Sequence, residues 1–263
     1  MPSFSPPAPT GFAGAVVPVA GLGTRLLPLT RTVPKALLPL AGKPVVVRVV
    51  DELREAGLER VCLVTSAGAT GVAEQFDDPS VLAVTQPSPL GLGDAVLRAE
   101  AFAAGQPFVL ALGDCVYRSP RTVQALMRAF VADEQAVAAI AVERVPQDRL
   151  GLYGVVATDG PRVTQLVEKP APDRAPGDLA VAARYVFGAP IFEALRGLPA
   201  NFSGELQLSD ALIRLVEAGE RVIAVPLPDG EHRLDVGTVS TYTEAFVELA
   251  LAEDPSLRER LCG

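Results

Sequence analysis

Strands and helices that alternate from residue 16 to residue 142, followed by strands joined through the turn dipeptide Asp159-Gly160, predict an α/β fold. Its expected form is a Rossmann-like, mostly parallel central sheet covered by helices, with a smaller antiparallel portion. No linker-like stretch or internal repeat divides the 263 residues, so one domain over 14–263 is expected behind a Pro- and Ser-rich tail at 1–13. The apolar, β-branched run 16–19 reads as a buried strand that delivers the loop Ala20-Gly21-Leu22-Gly23-Thr24-Arg25. Residues 44–56 space their apolar side chains for a helix and stop at Gly57, as a helix with a C-terminal glycine should. Strands follow at 61–65 and 81–85, a helix at 94–104, a strand at 108–112, a helix at 120–132 and a strand at 136–142. Beyond the Asp159-Gly160 hairpin come a strand at 183–187, helices at 191–196 and 205–218, a strand at 222–225 and a last helix at 239–251.

Composition removes several classes of function. A formal net charge of −8 argues against general affinity for nucleic acid or an anionic membrane, both of which need a broad basic surface. The longest uncharged stretch, 1–24, is broken by five prolines and has no basic start or continuous apolar run, so neither a membrane span nor a secretory signal is read there. Cys62, Cys115 and Cys262 share no metal or redox spacing, which fits a reducing compartment and a cytoplasmic location. With His232 as the one histidine, mechanisms that need an imidazole pair are excluded. Of 23 basic residues only Lys35, Lys43 and Lys169 are lysine, and each has a proline beside it. A compact ammonium and a planar guanidinium are not interchangeable, so these lysines stand out in a chain that otherwise uses arginine.

Gly21-Leu22-Gly23 lets backbone N–H groups approach a phosphate or base, but it matches neither G-x-G-x-x-G nor a P-loop. The following residues say more. Arg25, Pro28, Pro34 and Lys35 form a proline-stiffened loop that carries cations and no acid over eleven residues of an acidic protein, as binding a polyanion would require.

Taken together, GLGTRLLPLTRTVPK resembles the signature of sugar-1-phosphate nucleotidyltransferases. The likeness continues in order through Gln86-Pro87, the glycine-rich segment from Leu90 to Val96, Leu112-Gly113-Asp114, Tyr153-Gly154, Glu168-Lys169-Pro170, the string GELQLSDA and Asp235-Val236-Gly237. Within the family it is nearest to the bacterial uridylyl branch, whereas Ala36 in place of a common Glu and the short 67–85 connection resemble the thymidylyl branch.

The resemblance implies transfer of a uridylyl group from UTP to glucose 1-phosphate, giving UDP-glucose and pyrophosphate, with a thymidylyltransferase or a catalytically silent nucleotide-sugar-binding regulator as alternatives. Such a transfer is an in-line displacement by an already ionised phosphate oxygen, so positioning and charge neutralisation suffice and no general base is needed. By the resemblance Arg25 and Lys35 grip the triphosphate, Lys169 holds the sugar phosphate, and Asp114 and Asp235 bind Mg²⁺. Ala20, Gly21, Gly91 and the Gln86 amide would read the base, the last through both a donor and an acceptor, with Gly23, Thr24 and Gly113 nearby. Gly154 and Glu168 would meet the sugar, on the antiparallel portion. The partners implied are small-molecule substrates and a second copy of the chain in a dimer or tetramer.

Overall fold

The computed structural model describes residues 10–69, 71–199 and 204–262. The tail expected at 1–13 falls mostly outside these, but its last residues belong to the body. Phe12 meets Phe130 ring to ring, and the buried Ala13 donates its N–H to the Pro107 carbonyl.

In chain order the elements are β1 (Ala15–Pro18), β2 (Pro39–Leu40), β3 (Lys43–Pro44), α1 (Val45–Glu55), β4 (Val61–Ser66), β5 (Val81–Gln86), α2 (Leu92–Arg98), α3 (Glu100–Ala103) and β6 (Phe108–Ala111). Then come β7 (Cys115–Val116), α4 (Arg121–Ala132), β8 (Ala136–Arg144), β9 (Gly154–Asp159), β10 (Arg162–Glu168), β11 (Leu179–Phe187) and α5 (Pro190–Arg196). The chain closes with α6 (Leu208–Glu217), β12 (Arg221–Pro226), β13 (Leu234–Asp235), α7 (Val239–Glu253) and α8 (Ser256–Cys262). None of these helices is long and apolar enough to cross a membrane.

Nine strands form the central sheet in the order β5-β4-β1-β6-β11-β8-β12-β10-β9. The mostly parallel, Rossmann-like sheet expected from the sequence is corrected here: the sheet is mixed, with four parallel pairings and five antiparallel ones. The parallel half, β5-β4-β1-β6, follows the predicted strand–helix alternation. Beyond it β11 inserts between β6 and β8 and runs against both, so the crossover β6-α4-β8 is split by an antiparallel strand. The β9-β10 hairpin turns through Asp159-Gly160 as expected and adds antiparallel pairs to β11 and β12.

Alternation along β1 distributes the core. Ala15 and Val17 face one layer with α1, α4 and α7, while Val16 faces the other with α2, α3, α5 and α6. In α1 the buried Val45, Val46, Val49, Val50 and Leu53 form the apolar stripe. The helix stops at Gly57, whose φ of +97° favours glycine and whose N–H reaches the Arg54 carbonyl. The single helix expected at 94–104 is broken at Ala99, between α2 and α3.

Candidate active site

In an open α/β sheet ligands collect beyond the carboxyl ends of the parallel strands, and here those ends carry Ala20, Gln86 and the turn Leu112-Gly113-Asp114. A cavity of about 420 Å³ opens there, lined by Ala20, Gly21, Gly23, Thr24, Lys35, Gln86, Gly91, Gly113 and Asp114 among others. Beside it, over the antiparallel strands, lies a second cavity of about 460 Å³. Arg25, Asp114, Gly154, Glu168, Lys169 and Asp235 line this one. Every residue to which the resemblance gave a site role therefore borders one of two neighbouring lobes, whereas Lys43 borders neither, and Leu92, Leu112 and Asp114 border both.

The loop that follows β1 is folded by glycine and by short 3₁₀ turns. Gly23 takes φ +64°, and its carbonyl accepts a hydrogen bond from the Thr30 hydroxyl at 2.8 Å. A side chain at Gly23 would come within 2.9 Å of the Thr30 methyl and would sit on a left-handed backbone, so any larger residue strains the loop. Its far end brings Lys35 Nζ to 2.7 Å from Asp114 Oδ2. Arg25 lies toward the other lobe, and its guanidinium would be 3.9 Å from a Cβ built on Gly237.

Two residues of β7 pair with two of β13, so Asp235 sits opposite Cys115, and the Val236 N–H donates to the Asp114 carbonyl at 2.8 Å. That short ladder joins carboxylates 121 positions apart in sequence. Neither its existence nor its register was legible from periodicity, because two-residue strands show none. Among the described residues no group of three or more His, Cys, Asp or Glu forms a metal cage. A carboxylate on β13 and one in the turn that leads into β7 instead suit a hard divalent cation that takes its other ligands from phosphate oxygens and water, as Mg²⁺ does.

Beneath the Asp114 turn lies a residue that sequence reasoning gave no role. Arg184, fully buried, donates to the Leu112 carbonyl at 3.4 Å and the Cys115 carbonyl at 2.8 Å, on either side of Gly113-Asp114. Glu52 on α1 neutralises it. One signal could have exposed the pair: Glu52 falls in the apolar stripe of α1, between Val49 and Leu53, where an unpaired charge would be costly.

In the second lobe Glu168 and Lys169 both line the cavity although they are adjacent in sequence. A regular strand would send them to opposite faces. Lys169 instead takes φ +46°, ending β10 with a left-handed residue whose N–H donates to the Tyr153 carbonyl at 3.0 Å. Pro170, one residue later, cannot donate to the ladder and keeps the strand from resuming. Gly154 pairs opposite Glu168, and a Cβ there would stand 3.2 Å from Glu168 Oε2. Arg233 stacks 3.7 Å over the Tyr153 ring, with Glu143 at 2.7 Å and Asp235 at 3.6 Å. Burial opposes its charge, but Asp235 and Glu143 more than offset this and keep it protonated.

The Gln86 amide differs from the sequence expectation. Its Nε2 donates to the Gly91 carbonyl and to Asp94 Oδ2, each at 2.9 Å, so the donor half is already committed within the protein. Only the carbonyl oxygen stays open to a ligand, so the donor–acceptor pairing implied by the resemblance does not fit the hydrogen bonds of this side chain.

A family model described as nucleotidyl transferase matches residues 14–251. The chain belongs to the nucleotidyl transferase family. Among its nucleotidyl transferase relatives, the UTP–glucose-1-phosphate uridylyltransferase of Mycoplasma pneumoniae is 32% identical over 282 aligned residues, covering 94% of this chain and 95% of that protein. A UTP-bound UGPase from Acinetobacter baumannii superposes with a TM-score of 0.83 at 30% identity, covering 94% of this chain and 96% of that one. A UDP-glucose pyrophosphorylase complexed with UDP-glucose gives a TM-score of 0.80 at 30% identity over 89% of this chain and 97% of that one.

Proposed function

We infer that the chain transfers the uridylyl group of UTP to glucose 1-phosphate, forming UDP-glucose and releasing pyrophosphate. One observation carries this reading: two lobes lined by different chemistry meet at a single carboxylate, Asp114. The lobe on the parallel half takes the nucleotide. Its glycine-lined wall admits the base and ribose close to the backbone, near Ala20, Gly21, Gly91 and Gly113, and Gln86 accepts from the base. The lobe on the antiparallel half takes the sugar, with Glu168 accepting from its hydroxyls and Gly154 leaving room for close approach.

Where the lobes meet, an ionised phosphate oxygen of the sugar phosphate attacks the α-phosphorus of UTP and the bond to the β-phosphate breaks. Lys169 holds the attacking phosphate, while Arg25 and Lys35 offset the charge that builds on the departing pyrophosphate. The oxygen is anionic at neutral pH, so the absence of a histidine from the lobes costs nothing. Asp114 and Asp235 would hold Mg²⁺, whose chemistry when bound is to neutralise the crowded phosphates.

The test is a grid of pyrophosphate release with UTP or dTTP against glucose 1-phosphate and other hexose 1-phosphates, with Mg²⁺ or with EDTA. Release with UTP and glucose 1-phosphate that needs Mg²⁺ is the expected result. Turnover with dTTP equal to or above that with UTP overturns the uridine assignment, and no release with any pair overturns the catalytic one.

A further inference from the structure

The buried contact behind Gln86 has a consequence for which bases the nucleotide lobe accepts. Gln86 closes β5 with only 5% of its surface exposed, and its two amide hydrogens are spent on the Gly91 carbonyl and on Asp94 Oδ2. Both partners are acceptors. Turning the amide over would set its oxygen against two others and give up both buried hydrogen bonds. Asp94 is itself held: Arg98, one helical turn on, donates Nη2 to Oδ1 at 2.9 Å and Nε to Oδ2 at 3.4 Å. Asp94 lies in the first turn of α2, is 8% exposed and does not border either lobe.

We propose that Asp94, braced by Arg98, is a specificity-positioning residue that locks the Gln86 amide with its oxygen toward the base, so that the lobe selects pyrimidines carrying an N3–H and rejects cytosine. This rests on the reading of Gln86 as the base contact. Uracil offers a donor at N3, and a fixed carbonyl accepts from it. Cytosine offers an acceptor there, which a fixed carbonyl repels and a reversed amide would welcome. An unbraced glutamine could serve both bases by turning over.

The experiment measures kcat/KM for UTP and for CTP, with glucose 1-phosphate saturating, in the parent, Asp94→Ala, Asp94→Asn, Gln86→Ala and the Gln86→Ala/Asp94→Asn double variant. In Asp94→Asn, Arg98 takes the one side-chain oxygen and turns the Asn amide hydrogens toward Gln86, which favours the reversed orientation. The UTP-to-CTP ratio is expected to fall about tenfold in Asp94→Ala and further in Asp94→Asn, with no additional change in the double variant over Gln86→Ala. Damage to the fold would lower both substrates together and leave the ratio alone, so an unchanged ratio in both Asp94 variants overturns the proposal. If Gln86→Ala itself leaves the ratio and the UTP KM at parent values, the base reading of Gln86 falls, and the lock with it. If Gln86→Ala collapses the ratio while the Asp94 variants do not, only the lock is overturned.

Discussion

Arg184 and Glu52 meet as a two-pronged ion pair, Nε 3.0 Å from Oε1 and Nη2 2.6 Å from Oε2, with both side chains inside the core. Burial pushes the Glu52 carboxyl up and Arg184 pulls it back. Of the remaining guanidinium hydrogens one reaches the Ala183 carbonyl and two reach the carbonyls that flank Gly113-Asp114, so a charge pair between α1 and β11 holds the turn at the meeting point of the two lobes. Removing one partner leaves the other charged and uncompensated in the core. Glu52→Gln should therefore cost about 3 kcal/mol of stability, read as a lower urea midpoint. A midpoint equal to the parent's would mean that the pair contributes no more than its neutral counterpart.

Asp114→Asn keeps the shape of the turn but removes the negative charge 2.7 Å from Lys35. Turnover should fall by orders of magnitude with little change in the melting temperature, because the side chain is part-exposed and stabilises little by itself. Steady-state kinetics at saturating Mg²⁺ alongside a thermal melt would separate the two effects. Normal turnover would remove Asp114 from the site.

Lys169→Arg tests whether the ammonium is needed as a point charge. The left-handed backbone fixes where the side chain starts, so a longer planar fork cannot retreat to the same place. The KM for the sugar phosphate should rise about tenfold or more while the KM for the nucleotide changes little. Equal loss for both substrates would contradict a role confined to the sugar lobe.

Cys62 and Cys115 should resist alkylation in the folded protein. Burial pushes the Cys62 thiol up to about 11 and raises Cys115 as well, so neither supplies thiolate at neutral pH. The sign for stability follows: the unfolded chain releases this proton near pH 8.5, the folded chain only near 11, so the Cys62 contribution is full below 8.5 and is lost as pH rises through that window. In a Cys262→Ser background, iodoacetamide at pH 8 should modify neither remaining cysteine until denaturant is added, and mass spectrometry counts the adducts. Rapid labelling of the native protein would show that the core opens locally at one of them.

Much of this architecture was legible because it is local. The apolar stripe of α1, its stop at Gly57, the β9-β10 turn and the glycine-rich loop after β1 each have a signature within a few residues. What stayed hidden depends on pairing across long separations. A buried strand such as β11 reads the same in either direction, so nothing in its residues revealed that it would split β6 from β8. The lining of the lobes was legible from motifs, whereas the supports behind it were not: Arg184, Glu52, Asp94 and Arg233 act through partners brought near only by the fold.

The division of the sheet into a parallel and an antiparallel half has a practical side. Most of the wall of one lobe grows from β1, β5 and β6, and most of the other from β9 to β11 and β13, with the Asp114 turn as common ground and Arg25 reaching across from the loop after β1. An engineer wishing to redirect the acceptor can rewrite hairpin residues far along the chain and leave the donor compartment intact. The same separation would let one lobe change while the other is kept, provided Arg25 and the Asp114 turn are spared.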